Sequence, residues 1–194
     1  MHDGINMPTL KEIAQVEACY PFRGRITEAP DGEVKVIQMK DVSHEGGVDW
    51  SGLISTNLEG RRTPHWLEAG DIVFMARGNR NFAIYLEEVP VRVVCSPLFF
   101  HIHIRTQDIL PEFLAWQINQ GPAQSYFGRS RMGTHQMSIR RSTLEELPVS
   151  VLELDKQKAV IALDRLMKEE QRLCAQLASS REQMMNSLAR DLLI

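Results

Sequence analysis

The stretch from Asp155 to the C-terminus constrains this 194-residue chain more than any other. It contains neither proline nor glycine, the two residues that most strongly interrupt a helix. Val160, Leu163, Leu166, Met167, Leu173, Leu177, Met184 and Leu188 recur at three-, four- and seven-residue intervals, which aligns them along one helical face. Such a helix extends about 60 Å at 1.5 Å per residue, more than one small sheet domain can cover. The spacing predicts a partner helix in a coiled coil or small bundle. Folding back onto the chain's own domain is the alternative.

Residues 1–150 read differently. Thr9-Leu10-Lys11-Glu12 has the form of a capping box and predicts a short helix over Leu10–Val16. Glu33–Met39 alternates and is rich in β-branched residues, so it reads as a strand. Asp41–Asn57, with Gly46, Gly47 and Gly52, reads as a loop leading into a short strand, Leu53–Thr56. A tight turn at Gly70-Asp71 introduces the strand run Ile72–Gly78, followed by strands at Phe82–Leu86, Val91–Cys95 and Phe99–Arg105. Strands this close together, punctuated by glycine and proline, predict a twisted or barrel-like, mostly antiparallel sheet. Pro111–Asn119 starts with proline where a helix tolerates it and offers Phe113, Leu114, Trp116 and Ile118 for burial. Pro122–Phe127 predicts a second short helix, and Gly128–Ser138 a polar loop. Ser142 and Thr143 with Glu145 and Glu146 form another capping box before Pro148, and PVSVLEL (148–154) is strand-like. The fold class is therefore α+β: a sheet domain with short flanking helices over 1–150, then a long coiled-coil helix over 151–194.

No apolar run approaches the roughly 20 residues that span a bilayer, and MHDGINMPTL lacks the basic start and apolar stretch of a signal peptide. Cys19, Cys95 and Cys174 are odd in number and far apart, which reads as reduced thiols in a cytoplasmic protein.

Catalytic signatures are sparse. The chain has no GxGxxG, P-loop, HExxH or GxSxG motif. Asp31 followed by Glu33-Val34-Lys35 resembles a metal-dependent nuclease pattern, but one intervening residue leaves no room to hold a metal from two sides. Gly70-Asp71-Ile72-Val73 resembles a segment of self-cleaving repressor peptidases, without their Ser–Lys pair. His101 and His103 share one face of a strand, with no carboxylate or cysteine adjacent in sequence to complete a metal set. The expectation is no metal site and no catalytic residue.

Recognition chemistry remains. Arginine suits guanine edges, and asparagine or glutamine suits adenine. One cluster is Arg77-Gly78-Asn79-Arg80-Asn81; another is Arg129-Ser130-Arg131-Met132-Gly133-Thr134-His135-Gln136, with Arg140 following; Asn57, Arg61 and Arg62 form a smaller group. Net charge is −3, yet Arg129, Arg131, Arg140 and Arg141 fall between Ala123 and Leu144 with no acidic residue among them. A local excess of that kind suits a phosphate backbone, and equally a solvated basic face.

The order of LKEIAQV, VIQMKDVS, LEAGDIVFMARG, VVCSPLFFHIHIR, LPEFLAWQINQ and the run from Met132 to Lys168 resembles the DNA-specificity subunits of type I restriction–modification systems. The resemblance covers nearly the whole chain and rests on order and spacing, since each motif is degenerate. It implies a target-recognition domain (1–150) reading one half of a split site on double-stranded DNA, and a spacer helix (151–194) that sets the distance to a second reader. Arg77, Asn79, Arg80, Arg129, Ser130, Arg131, Thr134, His135, Gln136 and Arg140 match positions near DNA. Leu163, Leu166, Met167, Leu173, Leu177, Met184 and Leu188 would pair the helix. Family subunits usually carry two such domains and two helices; one of each implies a half-subunit that forms a homodimer or pairs with another half. The implied partners are a methyltransferase subunit using S-adenosylmethionine and, often, an ATP-driven restriction subunit, with no cofactor and no catalysis on this chain. The competing readings are a coiled-coil scaffold that does not bind DNA, and a repurposed recognition-domain remnant.

Overall fold

The computed structural model describes residues 7–58, 63–78, 80–130 and 137–192. A one-turn helix α1 (Leu10–Ile13) runs directly into β1 (Ala14–Ala18). There follow β2 (Val34–Ile37), β3 (Val42–Ser43), β4 (Gly47–Val48), β5 (Ile54–Thr56), β6 (Ile72–Met75), β7 (Arg77–Gly78), β8 (Ala83–Tyr85), β9 (Val93–Cys95) and β10 (Phe99–Ile104). Helices α2 (Pro111–Asn119) and α3 (Gly121–Ser130), strand β11 (Met137–Ser138), and helices α4 (Arg141–Glu145) and α5 (Leu154–Leu192) complete the chain. The molecule divides into two compact units, residues 1–157 and 158–194. No described helix is long and apolar enough to cross a membrane.

The larger sheet has the order β1-β10-β6-β8, antiparallel throughout. A second sheet, β5-β2-β9, contains the parallel pair β2–β9. The sheets are twisted, and none of those described closes into a barrel. All four residues of β6 are buried. Val73 and Met75 join an apolar cluster with Ile37, Leu53, Phe82 and Val93, while Phe74 packs on the other side against Phe127 of α3, ring centres 5.3 Å apart. Burial on both faces explains why IVFM is a continuous apolar run instead of an alternating one. The outer edge of β8 is covered by Asn119, whose side-chain amide donates to the Ala83 carbonyl and accepts from its amide, both at 2.8 Å. That contact satisfies an edge that would otherwise be open to pairing.

Five expectations change. The first helix stops at Ile13, because all five residues of β1 pair with β10, from Ala14 opposite Ile104 to Ala18 opposite Phe100. A capping interaction is worth only about 1 kcal/mol, too little to hold Ala14–Val16 helical against that ladder. Secondly, Gly128–Ser130 continues α3 and Met137–Ser138 forms β11, so the expected polar loop is regular at both ends; 131–136 lie outside the described residues. Thirdly, Ser142 lies inside α4, whose N-cap is Arg140. PVSVLEL is not a strand either: Pro148 bridges Thr9, and the Ser150 backbone is taken up by the Gln117 side chain at 2.9 and 3.0 Å.

The fifth change concerns the thiols. Cys19 and Cys95 are joined by a disulfide across 76 residues of sequence, with Cα atoms 5.3 Å apart, and Cys174 alone is free. β1 ends where β9 ends, which the linear spacing does not reveal. A link of that loop length stabilises by about 4 kcal/mol in the chain-entropy account. Thiol titration of the denatured, unreduced protein should find one reactive cysteine, rising to three after reduction, and reduction should lower the urea midpoint. Three thiols before reduction would restore the reduced-thiol reading.

Candidate nucleic-acid interface

The two arginine clusters lie about fifty residues apart in sequence, yet one short ladder joins them. Arg77 pairs with Ser138 and Gly78 with Met137 in the antiparallel β7–β11 sheet. The backbone before β7 is fixed on two sides: the Ala76 carbonyl accepts from the Ile139 amide at 2.9 Å, and the Ala76 and Arg77 amides both donate to the Leu98 carbonyl. Ile139 is buried and anchors β11. Arg140 follows immediately, exposed at the N-cap of α4.

Asn81 belongs to the support instead of the readout. It is buried, and its amide donates to the Met75 carbonyl at 3.0 Å, tying the connection after β7 back to β6. Gly78 has φ +146°, and a Cβ there would stand 3.2 Å from the Met39 sulfur. Glycine is therefore required by backbone conformation and by space together.

Arg77, Arg80, Arg129 and Arg140 are all exposed. By contrast, Arg141 is engaged by Glu145 at 2.7 Å, and Arg92 lies over the Trp66 ring at 3.9 Å. Arg129 occupies the last turn of α3, where the helix dipole favours a cation. It stands on the rim of an apolar groove of about 490 Å³ lined by Trp116, Tyr126 and Pro148 among others. Tyr126 donates to the Thr143 carbonyl at 3.1 Å, linking α3 to the start of α4. Ser130 ends α3. Asn79, Arg131, Thr134, His135 and Gln136 lie outside the described residues, as do Arg61 and Arg62. Asn57 accepts from the Glu33 amide at 3.4 Å.

In α5, Leu163, Leu166, Met167, Leu173, Leu177, Met184 and Leu188 are all exposed, from 45% at Leu188 to 69% at Leu166. The first turn of the helix is anchored by Gln157, which is buried. It accepts from the Leu110 amide and donates to the Asp108 and Leu152 carbonyls, at 2.7–2.8 Å.

One cluster was hidden in the sequence. The expectation that no carboxylate accompanies His101 and His103 is overturned by Asp71. Its Oδ2 lies 2.8 Å from His101 Nε2, and its Oδ1 lies 2.8 Å from His103 Nδ1. Burial pushes the Asp71 carboxyl up, but the two imidazoles and the Glu68 amide outweigh it and hold the group below its ordinary value. The β6–β10 pairing brings these residues together across thirty positions of chain, which adjacency in sequence could not show.

No family model and no curated protein matches the sequence. Solved structures do match. The type I restriction–modification S subunit from M. genitalium aligns with 99% of this chain and 47% of its own, at 14% identity and a TM-score of 0.58. The HsdS subunit from Thermoanaerobacter tengcongensis aligns over 90% of this chain and 41% of its own, at 13% identity and 0.56. A chain from a structure of type I restriction–modification complex assembly and conformational transition gives 94% and 48%, at 20% identity and 0.62. The fold is therefore that of type I specificity subunits, and the chain spans about half the length of the structures it matches.

Gly78→Ala should lower stability by about 1–3 kcal/mol in urea unfolding, through left-handed backbone strain. Gly128→Ala, in the exposed middle of α3 with nothing near its added Cβ, should leave stability unchanged or raise it by about 0.5–1 kcal/mol. Equal effects of the two would remove the special role of Gly78.

Proposed function

We propose that this chain is a DNA-reading specificity element of a type I restriction–modification complex, contacting one half of a bipartite site on double-stranded DNA. The observation that carries the reading is the β7–β11 ladder, which unites two arginine-bearing clusters on a specificity-subunit fold. Arg77, Arg80, Arg129 and Arg140 supply exposed cationic donors for phosphates or guanine edges. Asn79, Ser130, Arg131, Thr134, His135 and Gln136 are further candidate DNA contacts by the same reading. The chain itself performs no catalysis and binds neither S-adenosylmethionine nor ATP. A methyltransferase partner brings S-adenosylmethionine and extrudes the target base, and a restriction partner, where the system has one, uses ATP. Such a complex works in the cytoplasm, where the DNA is.

The exposed apolar stripe of α5 pairs with a second such helix, from another copy or another half-subunit, and the helix sets the distance between two readers. A net charge of −3 makes the isolated chain a weak DNA binder, so affinity is completed by the methyltransferase.

Co-purification of the chain with a methyltransferase subunit, followed by methylome sequencing, should return an interrupted target sequence. In anisotropy titrations of that complex, Arg→Ala at a phosphate-contacting position among 77, 80, 129 and 140 should reduce the slope of log affinity against log salt by about 0.9. At a base-contacting position it should cost about 1–3 kcal/mol on the cognate site. Complete insensitivity to all four substitutions would reject this surface. The Leu173→Glu/Leu177→Glu variant should shift the chain from dimer to monomer in light scattering; a monomeric wild-type chain at high concentration would reject self-pairing and leave only a different half-subunit as the partner.

A further inference from the structure

The cluster formed by Asp71, His101 and His103 takes no part in the arginine surface. Asp71 is held by its own turn: its amide donates to the Glu68 carbonyl at 3.1 Å, and its Oδ2 accepts from the Glu68 amide at 2.8 Å. Its carbonyl accepts from the Leu86 amide at 2.9 Å. His101 and His103 are alternate residues of β10, so their side chains leave the same face. The register that pairs Ile102 with Ile72 sets His103 across from Asp71 and His101 diagonal to it. One ligand atom from each residue can be chosen so that all three lie within 4.8 Å of one another.

His101 carries the argument further. It is only 6% exposed; its Nε2 lies 2.8 Å from the Asp71 carboxylate without good hydrogen-bond alignment, and its buried Nδ1 meets no hydrogen-bond partner. Buried polar atoms are nearly always satisfied, and leaving one unpaired is costly. An imidazole nitrogen held this close to a carboxylate, outside good hydrogen-bond alignment, is placed to share a cation with it. His103, with 62% of its side chain exposed, opens the cluster to solvent on the other side.

We propose that Asp71, His101 and His103 bind a divalent transition-metal ion of the zinc class. Two imidazoles and one carboxylate match the ligand preference of Zn²⁺, whereas Mg²⁺ and Ca²⁺ favour all-oxygen sets. A tetrahedral ion with bonds of 2.0–2.2 Å spaces its ligands about 3.4 Å apart, so the rings need to open from the carboxylate by roughly half an ångström. Exposed His103 has room for that movement. The fourth ligand is water on the solvent side. The ion ties the turn before β6 to β10, bracing the sheet from which the β7 connection extends.

The test is calorimetric titration of the full-length, tag-free, chelator-treated chain with Zn²⁺, and with Co²⁺ followed by its visible absorption. The expected result is one equivalent bound, a tetrahedral Co²⁺ spectrum and a raised urea midpoint. His103→Ala, at an exposed position that leaves the folded circular dichroism spectrum intact, should weaken binding at least tenfold and abolish the midpoint shift. His65→Ala, at a histidine paired separately with Glu17, should do neither. Absence of Zn²⁺ uptake by the wild-type chain, or uptake undiminished in folded His103→Ala, overturns the site. Neither result bears on DNA binding, which is read separately.

Discussion

Val73 and Met75 of β6 face one apolar cluster, while Ile72 and Phe74 face the opposite side, where Phe74 meets α3. A slip of one residue would exchange the two sets and push each into the wrong packing environment. Each of these large side chains contributes roughly 1.5–3 kcal/mol when fully buried, so the register is held far more strongly than any single turn or cap. Everything of chemical interest hangs from this strand. Asp71 precedes it and is brought to His101 and His103; Ala76 and Arg77 follow it and are clamped by Leu98 and Ile139.

The arrangement separates rigidity from contact. Hydrogen bonds that fix the sheet rim come from buried or half-buried groups: Asn81 to Met75, Asn119 to Ala83 and Gln117 to Ser150. The arginines they position are exposed. An overall negative charge is compatible with such a surface, because charges farther apart than about 8 Å are screened at physiological salt. The β7–β11 ladder gathers exposed arginines locally, whatever the net charge of the chain.

Legibility followed the range of the interaction that decides each element. Pro111–Asn119 was readable to the residue, since proline at the first position and the four-residue spacing of Leu114 and Ile118 are local signals. The continuous helix after Leu154 was equally plain. Leu10–Val16 was misjudged because its helix signal is local and the β10 ladder that overrides it lies some ninety residues away. Both histidines were visible, but their carboxylate was not, for it sits thirty residues upstream on a neighbouring strand. Cys19 and Cys95 were misjudged for the same reason. Of the candidate contacts, Arg77 and Arg140 could be named from the sequence; that Arg77 lies in one ladder and Arg140 just beyond its partner strand could not.

By itself, the sequence determined helix α2, the long α5 with its exposed apolar stripe and the strand-rich character of the first 150 residues, because periodicity and turn residues act within a few positions of themselves. Tertiary structure decided which distant segments meet. Strand pairing chose β1 over a longer α1, joined Cys19 to Cys95, set Asp71 between two imidazoles, and brought Arg77 beside the β11–Arg140 segment. Those outcomes depend on backbone hydrogen bonds between residues far apart in the chain, and only folding selects them from the many pairings that the alternating pattern allows.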